Sequence, residues 1–244
     1  NNNTIMTLLL LALTLFAFSA NAREIDVDHH MIGFGKHKLT NFNHQGTSLK
    51  RLSASYSCDN VTENWFTDAV IDNFAPIEKQ QKWYGKGQRY FVNKEFWGGN
   101  NYPLFVFIGG EGEEKCTRLT SYMYMYNLAK EHRAMLVDVE HRFYGQSIPT
   151  PDDSTENLQY LSSDQALADL ARIISHVKTV YDTKDSRVLT IGGSYPGNLA
   201  AWFRLKYPHV THGSIASSAP VLAQTNFPEY MDVVAQALIH FSGQ

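Results

Sequence analysis

Two glycines and a serine stand between a short aliphatic run and a helix-like segment, and this junction constrains the fold more than any other stretch. It reads Arg187-Val-Leu-Thr-Ile-Gly-Gly-Ser-Tyr-Pro-Gly197, and an apolar segment follows from Asn198 to Tyr207. A strand, a sharp turn and a helix in this order are typical of a nucleophile elbow, which lifts a serine hydroxyl clear of the sheet. Backbone N–H groups at the start of the helix would then face an oxyanion. The pattern predicts Ser194 as a nucleophile; the alternative is a tight turn in which Ser194 only caps the helix.

Pro196 departs from the usual G-x-S-x-G elbow, which has a glycine two residues after the serine. Here the glycine comes one position later, at Gly197. Proline is tolerated in a first helical turn because its missing N–H would have no partner there. It also disfavours the α conformation in the preceding residue, Tyr195, whose N–H is the first expected oxyanion donor. The sequence therefore leaves the geometry at Tyr195 open.

The bulk composition is that of a globular chain. Of its 244 residues, 43% are hydrophobic and 18% are charged, which is typical of a folded domain. The net charge of −3 comes with no basic stripe, so no nucleic-acid partner is expected.

The first residues are typical of a secretory signal peptide. Leu8 to Phe18 is an apolar run, and Ala20-Asn21-Ala22 supplies a cleavage pattern. The run is short for a membrane span, so a signal peptide over residues 1–22 is favoured over a membrane anchor. Residues 23–60 form a polar arm. Four histidines of this arm lack tight ligand spacing, and a solvated segment is favoured over a metal site: His29, His30, His37 and His44.

Cysteine usage fits the secretory pathway. Cys58 and Cys116 are the two cysteines, and they suit one disulfide, although pairing with cysteines beyond Gln244 is left open. Asn60-Val-Thr62 is a sequon that predicts glycosylation of Asn60.

Strand-like and helix-like segments alternate from Gln88 onward. Strands are predicted at 89–92, 104–108, 134–139, 188–191 and 213–217, and helices at 121–132, 163–181, 198–207 and 230–241. Ser162 or Ser163 is the expected cap of the second helix. This alternation predicts a mainly parallel, doubly wound sheet with helices on both faces and Ser194 at its carboxyl edge, where ligands bind.

A glycine-rich segment follows the strand at 104–108. Gly109-Gly110-Glu111-Gly112 is predicted to supply the second oxyanion donor, the Gly110 N–H, beside that of Tyr195. An ordinary turn is the alternative.

The partners of a catalytic serine are harder to find. A serine needs a histidine base and an orienting carboxylate, which follow the serine in this architecture. The candidates after Ser194 are poorly spaced: Glu229, Asp232, His209, His212 and His240. A complete triad is therefore not expected within these residues. Glu140-His141-Arg142 precedes the serine, and a buried ion-pair cluster is favoured there over a catalytic pair.

Several segments resemble the lysosomal serine exopeptidases, the family of prolyl carboxypeptidase, dipeptidyl peptidase II and the thymus-specific serine protease. The similarity covers about residues 64–240. The matching segments are Gly192–His209, Gln88–Phe91, Ile108–Glu113, Glu140–Ser147 and Gly213–Pro220. Two departures are Pro196, where many members have glycine, and Asp72-Asn-Phe74, where Asp-His-Phe is common.

The resemblance implies an α/β-hydrolase core over residues 61–225 and the start of a helical cap domain over 226–244. It implies that Ser194 forms an acyl-enzyme and that peptides are cleaved at a terminus next to proline or small residues. The exopeptidase would be of the dipeptidyl-peptidase or the Pro-Xaa carboxypeptidase type. The triad Asp and His would lie outside this fragment, which alone would be inactive.

The same resemblance bears on partners and location. It implies no metal or organic cofactor, no stable membrane span after signal cleavage, and an extracellular or lysosomal/vacuolar location, with a homodimer left open. Two rival hypotheses remain: a lipase or esterase on the same fold, and a truncated, non-catalytic secreted binding protein.

Overall fold

Six strands form one mixed sheet in a computed structural model that describes residues 56–242. The strands are β1 (Val61–Phe66), β2 (Gln88–Asn93), β3 (Leu104–Ile108), β4 (Met135–Val139), β5 (Val188–Gly193) and β6 (Gly213–Ser217), in the order β1-β2-β4-β3-β5-β6. The β1–β2 and β2–β4 pairs are antiparallel. The β4–β3, β3–β5 and β5–β6 pairs are parallel. The predicted signal peptide and nearly all of the polar arm lie outside the described residues.

Four α-helices accompany the sheet: α1 (Tyr124–His132), α2 (Ser163–Val180), α3 (Tyr195–Lys206) and α4 (Pro228–Ser242). Ser162 caps α2, since its hydroxyl accepts the Gln165 N–H at 3.3 Å, as the sequence predicts. The α4 side chains through residue 240 are exposed.

Alternate residues of the central strands supply two cores, one on each face of the sheet. One face packs against α2 and α3, and its largest fully buried helix residues are Leu167, Ile173, Ile174, Leu199 and Phe203. The other face packs against α1 and a short 3₁₀ helix at Cys116–Leu119. A strand that is buried on both faces has a continuous apolar sequence, which explains why β3 and β4 could be predicted from their apolar runs. The predicted α/β class, with helices on both faces, is confirmed.

The edge strand β1 has no counterpart in the sequence-based assignment. Three of its six residues are polar and five are at least partly exposed, so neither an apolar run nor a strict alternation marks it. It pairs with β2 along its whole length. A disulfide joins Cys58, just before β1, to Cys116 at the start of the 3₁₀ helix. Asn60 lies exposed immediately before the strand.

A buried ion pair fastens α2 to the end of β4. The Arg142 Nε and Nη2 atoms each donate to an Asp169 carboxylate oxygen at 2.7 Å. The remaining guanidinium nitrogen donates to the carbonyls of Ile71 and Tyr160 at 2.9 and 3.0 Å. Arg142 is fully buried. Its charge is therefore stabilised by the Asp169 carboxylate and the surrounding carbonyl groups, and not by water.

We expect Asp169→Asn to destabilise the full-length protein by about 3–5 kcal/mol, because it leaves the Arg142 charge buried and unpaired. Asp164→Asn is the matched control: it lies on the same helix and breaks the exposed pair with Lys206, which costs at most about 1 kcal/mol. Urea unfolding of both variants measures the difference. Equal losses would contradict the assignment of Arg142 as a buried anchor.

Candidate active site

Ser194 occupies a strained turn between β5 and α3. Its backbone has φ 62° and ψ −131°, a region that is uncommon for a residue with a side chain and that concentrates at functional sites. The Ser194 N–H donates to the Ser217 carbonyl at 3.0 Å, and the residue is exposed. Within residues 56–242, its side chain makes no capping hydrogen bond to the helix. This geometry is that of a nucleophile elbow and gives no support to a capping role alone.

Close backbone contacts explain the glycines around the serine. A Cβ on Gly197 would lie 2.9 Å from the Ser217 carbonyl oxygen, and one on Gly192 would overlap the Pro196 carbonyl. Both positions therefore need glycine for β5, β6 and α3 to approach one another.

Pro196 does not prevent Tyr195 from starting the helix. The helix predicted from Asn198 begins at Tyr195, with Pro196 in its first turn. That position is permitted because a first-turn N–H has no intrahelical acceptor. The Tyr195 N–H thus lies at the amino end of α3, directly after the serine.

The glycine-rich loop after β3 reaches the same turn. The Gly109 N–H donates to the Val139 carbonyl at 2.8 Å. A Cβ on Gly110 would lie 2.6 Å from the Pro196 Cγ, so the loop packs directly on the residue two positions after Ser194.

Glu114 lies beside the glycine-rich loop. Burial raises the pKa of its carboxyl group, and the nearby Gly110 N–H acts to lower it. The role of Gly110 as an oxyanion donor stays a prediction. The next amide of the loop belongs to Glu111, whose charge lies close enough to raise the pKa of Tyr195.

The Tyr195 side chain is held by His141. The His141 Nδ1 lies 2.7 Å from the Arg142 carbonyl oxygen, and Nε2 lies 3.0 Å from the Tyr195 hydroxyl. A carbonyl only accepts, so Nδ1 carries the proton and Nε2 accepts from the tyrosine. Burial lowers the pKa of His141 and raises the pKa of Tyr195 to about 12, which keeps both groups neutral. His141 is therefore a support for Tyr195, and its lone pair is occupied.

A single buried carboxylate, Glu140, connects the strands to the glycine-rich loop. It accepts from the Arg89 guanidinium at 2.6 and 3.2 Å and from the Ser147 hydroxyl at 2.7 Å. The backbone N–H groups of Glu114 and Gln146 donate to it at 3.1 Å each. With the Arg142 pair, this confirms the buried ion-pair cluster favoured from the sequence.

The histidines shortly after the elbow are placed elsewhere. The His212 Nδ1 accepts the Val188 N–H at 3.2 Å, and the His209 ring lies beside Tyr207. Neither is positioned as a base for Ser194. Asp232 lies on the exposed helix α4. That a complete triad is absent from these residues stays a prediction.

Two acidic residues beside the loop were not assigned a role from the sequence. Glu114 is buried, and Asp138 is fully buried in β4. The signal that could have revealed Asp138 is an aspartate inside the apolar run Ala134–Val139, where a charge needs a partner.

Across residues 56–242, no cluster of three or more His, Cys, Asp or Glu side chains could hold a metal ion. No helix in that range has the length and apolarity needed to cross a bilayer.

An exposed elbow serine at the carboxyl edge of this sheet defines the class of α/β hydrolases. A family model described as serine carboxypeptidase S28 matches residues 69–244. The chain therefore belongs to the S28 serine carboxypeptidase family, which confirms the resemblance drawn from its motifs.

Relatives agree with this family. The human lysosomal Pro-X carboxypeptidase is 41% identical over 165 residues, which cover 63% of this chain and 33% of that protein. The human thymus-specific serine protease is 41% identical over 153 residues, covering 62% and 30%. A solved hyperthermophilic esterase from Pyrobaculum calidifontis is 15% identical with a TM-score of 0.46, covering 70% of this chain and 48% of that one. The chain spans about a third of the length of the curated relatives it matches.

We expect Gly110→Ala to destabilise the protein by about 1–3 kcal/mol, because the new methyl group would press on the rigid ring of Pro196. Gly112→Ala in the same loop is the control: its Cβ would meet nothing within 4 Å, and we expect a change within about 0.5 kcal/mol. Thermal or urea unfolding of the full-length protein gives both values. Similar values for the two variants would argue against close packing of the loop on the elbow.

Proposed function

We propose that Ser194 is the nucleophile of a serine-type exopeptidase that cleaves peptides next to proline or small residues. The observation that carries this proposal is the backbone of Ser194, whose φ of 62° holds an exposed hydroxyl at the amino end of α3. The strained backbone of Ser194 lowers the stability of the fold, and a turn with no function could avoid this strain with a different residue or conformation. Membership of the S28 family supplies the reaction class.

In the proposed reaction, the Ser194 Oγ attacks the scissile carbonyl carbon and loses its proton to a base. The tetrahedral intermediate expels the amine and leaves an acyl-enzyme, which water then hydrolyses. The Tyr195 N–H is the first proposed oxyanion donor. The second proposed donor is the Gly110 N–H, in the loop that packs on Pro196. One donor would lie at the amino end of α3 and the other in this loop, since oxyanion stabilisation requires donors that are held in place.

The base and its carboxylate are proposed to come from sequence beyond Gln244. The matched relatives are about three times as long as the aligned region, and triad acids and bases follow the serine in this fold. Residues 1–244 alone are accordingly proposed to be inactive. We propose that residues 61–225 form part of the hydrolase core and that 226–244 begin a cap domain.

The cleavage preference and the location are proposed by similarity. A relative named as a lysosomal Pro-X carboxypeptidase supports cleavage beside proline and a lysosomal or extracellular location. The signal-peptide pattern and the Cys58–Cys116 disulfide fit that route, since disulfides persist in oxidising compartments.

We expect a fluorophosphonate probe to label the full-length protein and Ser194→Ala to abolish the labelling. The substitution removes the attacking oxygen, so turnover of a peptide substrate falls by about a million-fold. Ser175→Ala, at an exposed position on α2, is the control and retains full labelling. Labelling that persists in Ser194→Ala would reject Ser194 as the nucleophile, and an unlabelled native protein would favour a non-catalytic role.

We expect peptide reporters with proline beside the scissile bond to be cleaved at least about tenfold better, in kcat/KM, than matched alanine reporters. A pocket that accepts the extra methylenes of proline gains about 1–3 kcal/mol of transition-state binding. Reporters blocked at the amino end and reporters blocked at the carboxyl end, tested side by side, decide which terminus is trimmed. Rapid hydrolysis of short acyl esters without peptide cleavage would support an esterase instead.

A further inference from the structure

His141 lies between two residues that are fixed by buried ion pairs. The residue before it, Glu140, accepts from the Arg89 guanidinium at 2.6 Å. The residue after it, Arg142, donates to the Asp169 carboxylate at 2.7 Å. All four charged side chains are buried. Because breaking a buried ion pair is strongly destabilising, the backbone of His141 is held on both sides.

The His141 side chain uses both of its ring nitrogens. Nδ1 donates to the Arg142 carbonyl oxygen at 2.7 Å, and Nε2 accepts from the Tyr195 hydroxyl at 3.0 Å. The ring also contacts the rings of Tyr144 and Tyr195, with centroids 5.3 and 5.6 Å away. His141 is only 4% exposed, so water does not compete for these bonds. The Tyr195 hydroxyl is therefore joined to a part of the chain that is itself fixed.

The Tyr195 backbone needs such an anchor because its own N–H has to stay free for an oxyanion. This N–H is the first amide of α3 and has no acceptor within the helix. It shares a peptide plane with the Ser194 carbonyl, which accepts the Asn198 N–H at 3.1 Å. That bond holds one end of the plane, and the Tyr195 Cα is the other end. The contact of the Tyr195 side chain with His141 restrains this second end.

The backbone of His141 borders the glycine-rich loop. A Cβ on Gly109 would lie 3.1 Å from the His141 nitrogen and 2.5 Å from the Val139 carbonyl oxygen, so the loop is packed against the end of β4. The second proposed oxyanion donor, the Gly110 N–H, follows directly. His141 is consequently in contact with both of the elements that carry the proposed donors.

We propose that His141 is a positioning residue that sets the separation of the two oxyanion donors, with its backbone against the glycine-rich loop and its ring on the Tyr195 side chain. The inference rests on the proposed function, since the two donors are those of the proposed acyl transfer. His141 is not the base, because its Nε2 lone pair is used by the Tyr195 hydroxyl. A displacement of about 1 Å at a catalytic group can lower the rate about a hundredfold, so the separation of the donors matters.

The test separates the two ring nitrogens of His141. The amide of glutamine reaches the position of Nε2 and can accept from Tyr195, whereas the shorter amide of asparagine reaches only the position of Nδ1. His141→Gln therefore keeps the bond to Tyr195, and His141→Asn loses it. Tyr195→Phe removes the same bond from the other side and keeps the ring. The matched controls, at exposed positions on α1, are His132→Asn and Tyr124→Phe.

The full-length protein is reacted with an alkyl fluorophosphonate, and the maximal labelling rate and the half-saturating concentration are measured separately. We expect His141→Asn and Tyr195→Phe each to lower the maximal rate about 10- to 100-fold, because oxyanion stabilisation is lost in the transition state. The half-saturating concentration should change less than about threefold, since ground-state binding is unaffected. The double variant should be no slower than the slower single variant, because both substitutions remove one bond.

The conservative variant and the controls complete the expectation. His141→Gln should retain a maximal rate within about fivefold of the wild type, because the acceptor for Tyr195 is kept. His132→Asn and Tyr124→Phe should stay within about twofold, as is usual for surface substitutions.

A role confined to stability would give a different result. If His141→Asn and Tyr195→Phe lower the melting temperature but keep the maximal rate within about threefold of the wild type, the positioning role is rejected. It is also rejected if His141→Gln is as slow as His141→Asn. If His141→Asn does not fold, Tyr195→Phe decides by the same rate criterion.

Crystal structures of the wild type, His141→Asn and His141→Gln keep this inference separate from the proposed function. We expect the distance between the Tyr195 and Gly110 nitrogens to change by at least about 0.5 Å in His141→Asn, the tolerance of a preorganised site, and to match the wild type in His141→Gln. A wild type that is never labelled would reject the peptidase proposal, and the structures would still decide the positioning role. An unchanged distance in His141→Asn overturns it, and a change that is absent from His141→Gln supports it.

Discussion

The charge on Glu140 is the constraint on which the candidate site depends. This carboxylate is fully buried, and five donors from β2, from the loop region and from the turn after β4 converge on it. A buried carboxylate persists in charged form only when donors satisfy its oxygens. Its position therefore fixes where Arg89, Glu114 and Ser147 lie. These hydrogen bonds fix the geometry of the glycine-rich loop that packs on the elbow.

A second set of contacts acts from the opposite side of the turn. The Ser194 N–H is bonded to Ser217 of β6, and Gly192 and Gly197 allow β5 and α3 to approach within a distance that a side chain would block. Ser194 keeps its positive φ because these backbone contacts exclude most other conformations of the turn. The nucleophile candidate is thus held by main-chain packing, whereas the loop facing it is held by buried charge.

The sequence was sufficient for the central strands and for the elbow because their signals are local. β3 and β4 are apolar runs, α2 has an apolar stripe with a serine cap, and the serine follows two glycines. The edge strand β1 was missed because its polar residues gain strand structure from β2 and not from their own pattern. Helix α3 was placed three residues late because its predicted start followed the apolar segment from Asn198, whereas the first turn holds Tyr195, Pro196 and Gly197.

The site itself was less accessible to sequence reasoning. Ser194 and the glycine-rich loop could be proposed from spacing, but the hydrogen bond from the Glu114 N–H to Glu140 joins residues that are far apart in the sequence. The proximity of Glu114 to Asp138, which adds to the effect of burial in raising the pKa of Asp138, depends on tertiary structure alone, since one follows β3 and the other lies in β4. An aspartate inside an apolar strand indicates that a partner exists, but the sequence does not identify the partner.

The strand order has a consequence for synthesis of the chain. β3 lies between β4 and β5, so Leu104 pairs with Met135 on one side and with Val188 on the other. Its second neighbour leaves the ribosome long after its first, and contacts between distant residues form slowly because a long loop must close. The backbone turn at Ser194 needs β6 as well, through Ser217. A nascent chain can therefore complete the acidic and glycine-rich side of this edge while the serine side is still unformed.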